Sequence, residues 1–329
     1  MAIAHQATGS WVEKMDGVDT DAEASYTFGS VASNDLLTLT VTAFRYGENT
    51  TDDIVQAVRS NSGATAWHCS KREQYVKAGS FHKTEITEWC LPGAPSGTVV
   101  AALDFLGSST TIWKMQGSRY SGAGTTVATA VATAVSNEGG PGESSALTGS
   151  SGTLSQSDVL VRASMACAYA WSIDPPVSGW NERGESASGG NFLGCSVLDS
   201  MPGSTAAKSA TWTKNVDVND QGWVSILTQY KGATVNKRIE ITGIDTAVNG
   251  TTGWTVYWWQ TDPVSGLVSG VYKKAGITAE ASGGKIYVVD ANVPIVADGT
   301  SINCVAYRPG GSPIKGLVGV VVGTVKDYS

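Results

Sequence analysis

From Leu37 to Ala43 the chain reads Leu-Thr-Leu-Thr-Val-Thr-Ala, a strict two-residue alternation. A helix cannot use this pattern; an extended strand puts the aliphatic side chains on one face and the threonines on the other. A strand with one buried face is expected. The pattern returns from Asp158 to Cys167, where Val159, Val161, Ala163, Met165 and Cys167 share one side and Arg162 lies on the other. Cys167 therefore reads as a core residue, not a nucleophile.

More strands are expected at Thr98 to Phe105, Thr111 to Tyr120, Ala210 to Lys214 and Gly222 to Lys231, each bounded by Gly, Pro, Ser or Asn clusters. The stretches Ala64 to Gln74 and Ser80 to Leu91 flank Lys77-Ala78-Gly79 as a long hairpin, with Trp67 and Trp89 facing neighbouring strands or a partner chain. Between Ser121 and Thr153 a Thr/Val/Ala strand and an exposed loop at Asn137 to Ser145 are expected. No segment has the period of an amphipathic helix. With 39 glycines and only 16% charged residues, the chain describes stacked sheets joined by turns. The fold class is all-β.

A chain of 329 residues suits two domains, each able to bury its own core. Composition shifts near Gly232-Ala233-Thr234, which places a larger β-sandwich at 1–232 and a smaller one at 233–329. In the second, Lys237 to Thr242 opens a new set of strands and Asn249-Gly250 is a strong hairpin signal. Trp254 to Trp259 is an aromatic strand, Gly283-Gly284 turns into Lys285 to Val289, and Thr300 to Tyr307 follows Asp298-Gly299. About seven short strands make a small immunoglobulin-like sandwich.

The N-terminus lacks the basic and apolar stretches of a signal peptide, and no run reaches the roughly 18 apolar residues that span a bilayer. A soluble protein made in a cytoplasm and free of membrane contact is expected. The five cysteines, Cys69, Cys90, Cys167, Cys195 and Cys304, form an odd set without C-x-x-C spacing, so buried thiols are expected. A net charge of -7 without clustered Lys and Arg argues against nucleic acid as a partner.

Several pieces together carry a resemblance over Thr8 to Lys231. They are Thr38-Leu39-Thr40-Val41, Ala94-Pro95-Ser96-Gly97-Thr98-Val99, Gly117-Ser118-Arg119-Tyr120-Ser121-Gly122, Ser157-Asp158-Val159-Leu160-Val161 and Trp223-Val224-Ser225-Ile226-Leu227. Their order resembles a jelly-roll-type β-sandwich of bacteriophage virion proteins and some bacterial surface proteins. In that group a Pro-Ser-Gly-Thr turn precedes a central strand and a Trp-containing strand closes the domain. The second domain is similar in architecture to the immunoglobulin-like appendages of phage heads and tails.

Four sets of residues could carry chemistry. His68, Cys69, His82 and Cys90 lie on one expected hairpin, but adjacent His68 and Cys69 point to opposite faces, so no zinc site is expected. Asp16, Asp19, Asp21 and Glu23 offer oxygen ligands of the kind calcium uses, without matching an EF-hand; a solvated acidic loop is the plainer reading. Glu85, Glu88, Asp104, Asp174 and Glu182 could supply a carboxylate pair for glycoside hydrolysis, yet no spacing singles out two. No Gly-x-Ser-x-Gly elbow is present and the three histidines fall within the first 82 residues. No catalytic residues and no cofactor are assigned.

The fourth set is aromatic: Trp171 and Trp180, which bracket a proline-rich loop, and Trp254, Trp258 and Trp259 are candidate contact residues. The resemblance implies a non-enzymatic component of a phage virion, a capsid-decorating or head-fibre protein with capsid or tail proteins as partners. A homotrimer is the expected assembly, because sheet edges need cover. The alternative is a tail-attached receptor-binding or carbohydrate-binding adhesin.

Overall fold

A computed structural model describes residues 3–14, 24–46, 52–60, 67–77, 79, 82–105, 111–156, 158–168, 173–176, 178–186, 193–214, 222–233, 236–242, 252–261, 268–280, 285–290, 301–307 and 321–328. The described residues are almost entirely β-strand, and none of their helices is long and apolar enough to cross a membrane. The chain divides into two compact units, Met1–Thr234 and Val235–Ser329.

Unit 1 begins with β1 (Ala4–Thr8), β2 (Val12–Lys14), β3 (Ser25–Val31), β4 (Asp35–Tyr46), β5 (Val55–Ser60), β6 (His68–Lys77), β7 (His82–Ala94), β8 (Gly97–Phe105) and β9 (Thr111–Ser121). A helical turn α1 (Val127–Ala130) leads to β10 (Val131–Gly139), β11 (Ser145–Leu147), β12 (Val159–Ala168), β13 (Ile173–Asp174), β14 (Asn181–Ser186), β15 (Leu193–Ser200), β16 (Thr211–Lys214) and β17 (Trp223–Lys231). The first set forms an inner sheet β1-β9-β4-β7-β6, with β2 extending β1 along β9, and an outer sheet β3-β8-β5. The second forms an inner sheet β10-β17-β12-β15-β14 and an outer sheet β11-β16-β13.

These two orders are the same. With β1 matched to β10, β3 to β11, and so on to β9 and β17, each strand keeps its neighbours, so unit 1 holds two modules of one jelly-roll-type topology. A single sandwich was expected over this stretch. The sequence carries a trace of the repeat: Trp113, Tyr120, Gly122 and Ala123 recur as Trp223, Tyr230, Gly232 and Ala233, each 110 positions on, as do Pro92-Gly93 and Pro202-Gly203. Gly93 and Gly203 share φ of 66° and 63°, the left-handed turn that glycine adopts without strain.

Unit 1 has four layers, because the inner sheets pack on each other. One core lies between the first inner and outer sheets, where Leu37, Leu39, Val41 and Ala43 of β4 meet Tyr26, Phe28, Val58 and Leu103, and Trp67 and Trp89 are buried here. A second lies between the other pair, around Met165, Cys167, Trp212 and Trp223. A third sits between the modules, where Phe44, Ile86 and Ile112 meet Ala166, Leu193, Val224 and Ile226. The threonine face of β4 therefore does not meet solvent: Thr38, Thr40 and Thr42 are fully buried, as is Arg162 on β12, because the opposite module covers them. Strands buried on both faces explain why period two alone misjudged the exposure.

Unit 2 holds β18 (Asn236–Ile241), β19 (Trp254–Thr261), β20 (Val268–Ile277), β21 (Ile286–Val289), β22 (Ser301–Tyr307) and β23 (Val321–Tyr328) in one sheet, β20-β19-β22-β23-β18-β21. Among the described residues these six strands form one continuous, barrel-like β-sheet, with β23 paired to β18. The ends of the sheet approach each other: Ala279 bridges Ile286, and Glu280 N–H donates to the Lys285 carbonyl at 2.8 Å. Ile239, Ile241, Val256, Ile286, Val288, Ile302 and Cys304 fill the interior.

Candidate functional site

The densest polar constellation among the described residues lies between the two modules. Arg162 of β12 donates through Nε to Glu88 Oε1 of β7 at 2.6 Å, through Nη1 to Tyr120 Oη of β9 at 2.7 Å, and through Nη2 to Thr40 Oγ1 of β4 at 3.1 Å. Thr40 donates in turn to Glu88 Oε2 at 2.6 Å, and Tyr120 to Asp199 Oδ2 of β15 at 2.8 Å. Asp199 also accepts from Arg183 Nε at 2.5 Å and from the Asn181 amide at 3.1 Å. Tyr230 Oη of β17 lies 3.4 Å from Glu88 Oε1 and 3.3 Å from Ser70 Oγ.

Both carboxylates and Arg162 are at most 2% exposed. Burial opposes the charge of Arg162, but Glu88 foremost, then Tyr120, Tyr230 and Asp199, hold its guanidinium above its ordinary value. Burial likewise pushes the Tyr120 and Tyr230 phenols up, so both remain protonated donors. The arrangement can hold two sheets in register. Its carboxylates are saturated with donors and face another sheet, which suits a structural bond and not proton transfer to a substrate.

The other candidate carboxylates are dispersed. Glu85 lies on the opposite face of β7 from Glu88, where it accepts the Ile54 and Val55 N–H groups at 2.8 and 2.9 Å and the Gln74 amide at 2.6 Å; burial pushes its carboxyl up. It pins the start of β5. Asp104 pairs with Arg59 at 2.7 Å on the surface. Asp174 and Glu182 are exposed, near enough to Glu185 for their charges to add to the burial that raises its carboxyl.

His68 pairs in register with Cys90, and His82 lies at the far end of the same hairpin. No group of three His, Cys, Asp or Glu among the described residues is placed to hold a metal ion. Asp16, Asp19, Asp21 and Glu23 lie outside the described residues, as do Trp171 and the Asn249-Gly250 and Gly283-Gly284 turns.

The aromatic candidates separate by strand parity. Trp254 and Trp258 are fully buried in the core of unit 2, with Trp258 stacked on Tyr272 at 5.8 Å, so neither is a contact residue. They lie on the inward face of β19, beside Val256. Trp259 lies on the outward face, in register between Val271 and Asn303. Tyr257, between Lys273 and Val305, shares that face, and its ring meets Tyr307 edge-on at 5.7 Å with Lys273 Nζ 5.6 Å from its centre. Val271 is 63% exposed. Tyr257, Trp259, Val271 and Tyr307 thus form an outward aromatic strip, of which the sequence reading had named only Trp259.

Trp180 is half-buried. It packs against two cores of the second module beneath Lys208, whose Nζ is 5.9 Å from the ring centre. One side of its ring thus packs on the module beside Leu154, Val161 and Leu227, and the ring is not a fully projecting group.

All five cysteines are free thiols. Burial pushes Cys90 and Cys195 up to about 12 and Cys69 and Cys304 to about 11. Thiolates are the reactive form. With an aromatic disulfide reagent at pH 8, the folded protein is expected to show at most slow reaction at half-buried Cys69, and all five thiols should react in denaturant. Rapid reaction of several thiols in the folded state would contradict this packing.

The chain finds no match among protein-family models, curated proteins or solved structures.

Proposed function

We propose that this chain is a non-enzymatic structural component of a phage virion, a capsid-decorating or head-fibre protein. The observation that carries the reading is the doubled jelly-roll module, whose inner sheets are sealed on each other by apolar clusters and a saturated ionic network. Such a body is rigid and spends its buried polar groups on internal register. In this reading unit 2 provides the second surface, and its outward strip at Tyr257, Trp259, Val271 and Tyr307 contacts a neighbouring protein of the particle. Trimer formation, with capsid or tail proteins as partners, belongs to the same proposal.

A tail-attached adhesin is the second reading, favoured by the same strip, since Trp and Tyr faces with polar neighbours such as Asn303 suit sugar rings as well as protein. The two readings part under one experiment. The purified chain is analysed by size-exclusion chromatography with light scattering, alone and mixed with capsids lacking it, and then passed over a polysaccharide matrix. A stable oligomer that co-elutes with the shells, weakened by Tyr257→Ala with Trp259→Ala, is the expected result. A chain that ignores shells and is retarded on the matrix would replace the virion-decoration reading with the adhesin.

A further inference from the structure

The contact between the modules follows the symmetry of the repeat at its centre and departs from it at one edge, where β6 packs closely on β10 and β17 while the equivalent β14 packs far less on β1 and β9. Strand β4 lies over its own equivalent β12, while β7 lies over β17 and β9 over β15, which are equivalent pairings in opposite directions. An approximate two-fold axis therefore passes between β4 and β12. Tyr120 and Tyr230, in register with Leu36 and Leu160 on the equivalent strands, are mates across it, whereas the acids they approach are not: Asp199 stands in the place of Cys90, and Glu88 in that of Val197. Where the modules end, Ala123 of one bridges Gly232 of the other, again between equivalent segments.

The charges on the two faces do not follow this symmetry. Each module has an acid on the equivalent strand, Glu88 on β7 and Asp199 on β15. Opposite these acids, in register on β4 and β12, stand Thr40 and Arg162. Each flanking edge strand also carries a one-residue irregularity at the same place, occupied by Ser70 in β6 and by Arg183 in β14. In the second module Arg183 neutralises Asp199, and Arg162 is left for the other face. The first module offers Ser70 and Thr40 instead, both uncharged, and Glu88 is left for the other face. Lys114, also on the first face, is paired within its own module by Glu13 at 3.0 Å. At the fully buried centre of the contact the first face thus presents Glu88 and the second Arg162, each ion-paired only across the interface, while half-buried Lys71, beside Glu88 on β6, forms no ion pair with it.

We infer that Glu88 and Arg162 are specificity-determining residues of this interface: they make the first inner sheet accept the second and reject a copy of itself. Two first modules meeting through the same geometry would bury two Glu88 carboxylates with only hydroxyl donors. Two second modules would set each Arg162 against Val197, Tyr230 and Ser164 of the other, the residues in the places of Glu88, Tyr120 and Thr40, with no acid among them. Buried charges without a counter-charge are strongly disfavoured, so the repulsive arrangements select the mixed one. A tandem repeat needs such a device, because its modules share one fold and one face and each copy of the chain offers both. The partner this surface fits is a second-module face, supplied in cis by the same chain.

The test uses three full-length variants, Glu88→Arg, Arg162→Glu and the double variant carrying both. Each is refolded from denaturant, the two single variants also as an equimolar mixture, and all are sized by light scattering after size exclusion. Alone, each single variant has two like-charged faces and is expected to refold to open or aggregated chains. The double variant is expected to elute as the wild type does. The mixture should yield a soluble assembly containing both chains in equal amounts, since each face then finds its opposite in trans. Should the single variants be insoluble, recovery of soluble material only from the mixture reads the same way. Single variants that refold to the wild-type species, or a mixture that behaves as the sum of its parts, would overturn the inference.

Discussion

Replacing Arg162 with methionine is expected to destabilise unit 1 by about 3–5 kcal/mol, the range for removing one partner of a buried ion pair. The loss is large because Arg162 supplies donors to Glu88, Tyr120 and Thr40 at once, and the Glu88 carboxylate left behind is at most 2% exposed with no other cation bonded to it. Thr40 and the Tyr230 hydroxyl cannot neutralise it. Adding Glu88→Gln to Arg162→Met should recover a substantial part of the loss, since the uncompensated charge is then gone and an apolar side chain fills the space. Chemical denaturation of wild type, single and double variants measures this directly. A single variant with an unchanged midpoint would show that the bond contributes nothing to holding the modules together.

The second large effect is expected in unit 2. Trp258→Ala empties the centre of its core and should cost about 3–5 kcal/mol, the range for a buried Trp or Phe truncated to alanine. Trp259→Ala, one residue away, should cost far less, because its ring lies outward between Val271 and Asn303. The damage of Trp258→Ala should also stay local. Amide hydrogen exchange should accelerate in β19 and β22 while β4 and β12 keep their protection, because unit 2 has its own core. Equal effects from the two tryptophans would mean that the strand's parity has been misassigned.

Much of unit 1 could be read along the chain. The strands from Leu37 to Ala43 and from Asp158 to Cys167 are β4 and β12, and the hairpin around Lys77 to Gly79 is β6 and β7. Local alternation and turn residues determine these elements, because side-chain direction alternates along any extended chain. The repeat was also legible, in the Trp, Tyr, Gly-Ala and Pro-Gly positions 110 residues apart, but comparing the halves was needed to find it. The outward strip of unit 2 was half legible: Trp254 to Trp259 was evidently an aromatic strand, yet nothing local says which parity faces the interior.

What the sequence by itself determined is the all-β class, the position of most strands and the burial of Cys167, since these depend on neighbours one or two residues apart. What only the tertiary structure decided is what the polar faces meet. Thr40 and Arg162 look like solvent-facing residues of half-buried strands, and they are buried against each other 122 positions apart. A face that is apolar on one side and hydroxyl-rich on the other can meet water or a complementary sheet equally well. The choice belongs to the other sheet, whose Arg162, Tyr230 and Asp199 supply the donors and acceptors that water would otherwise provide.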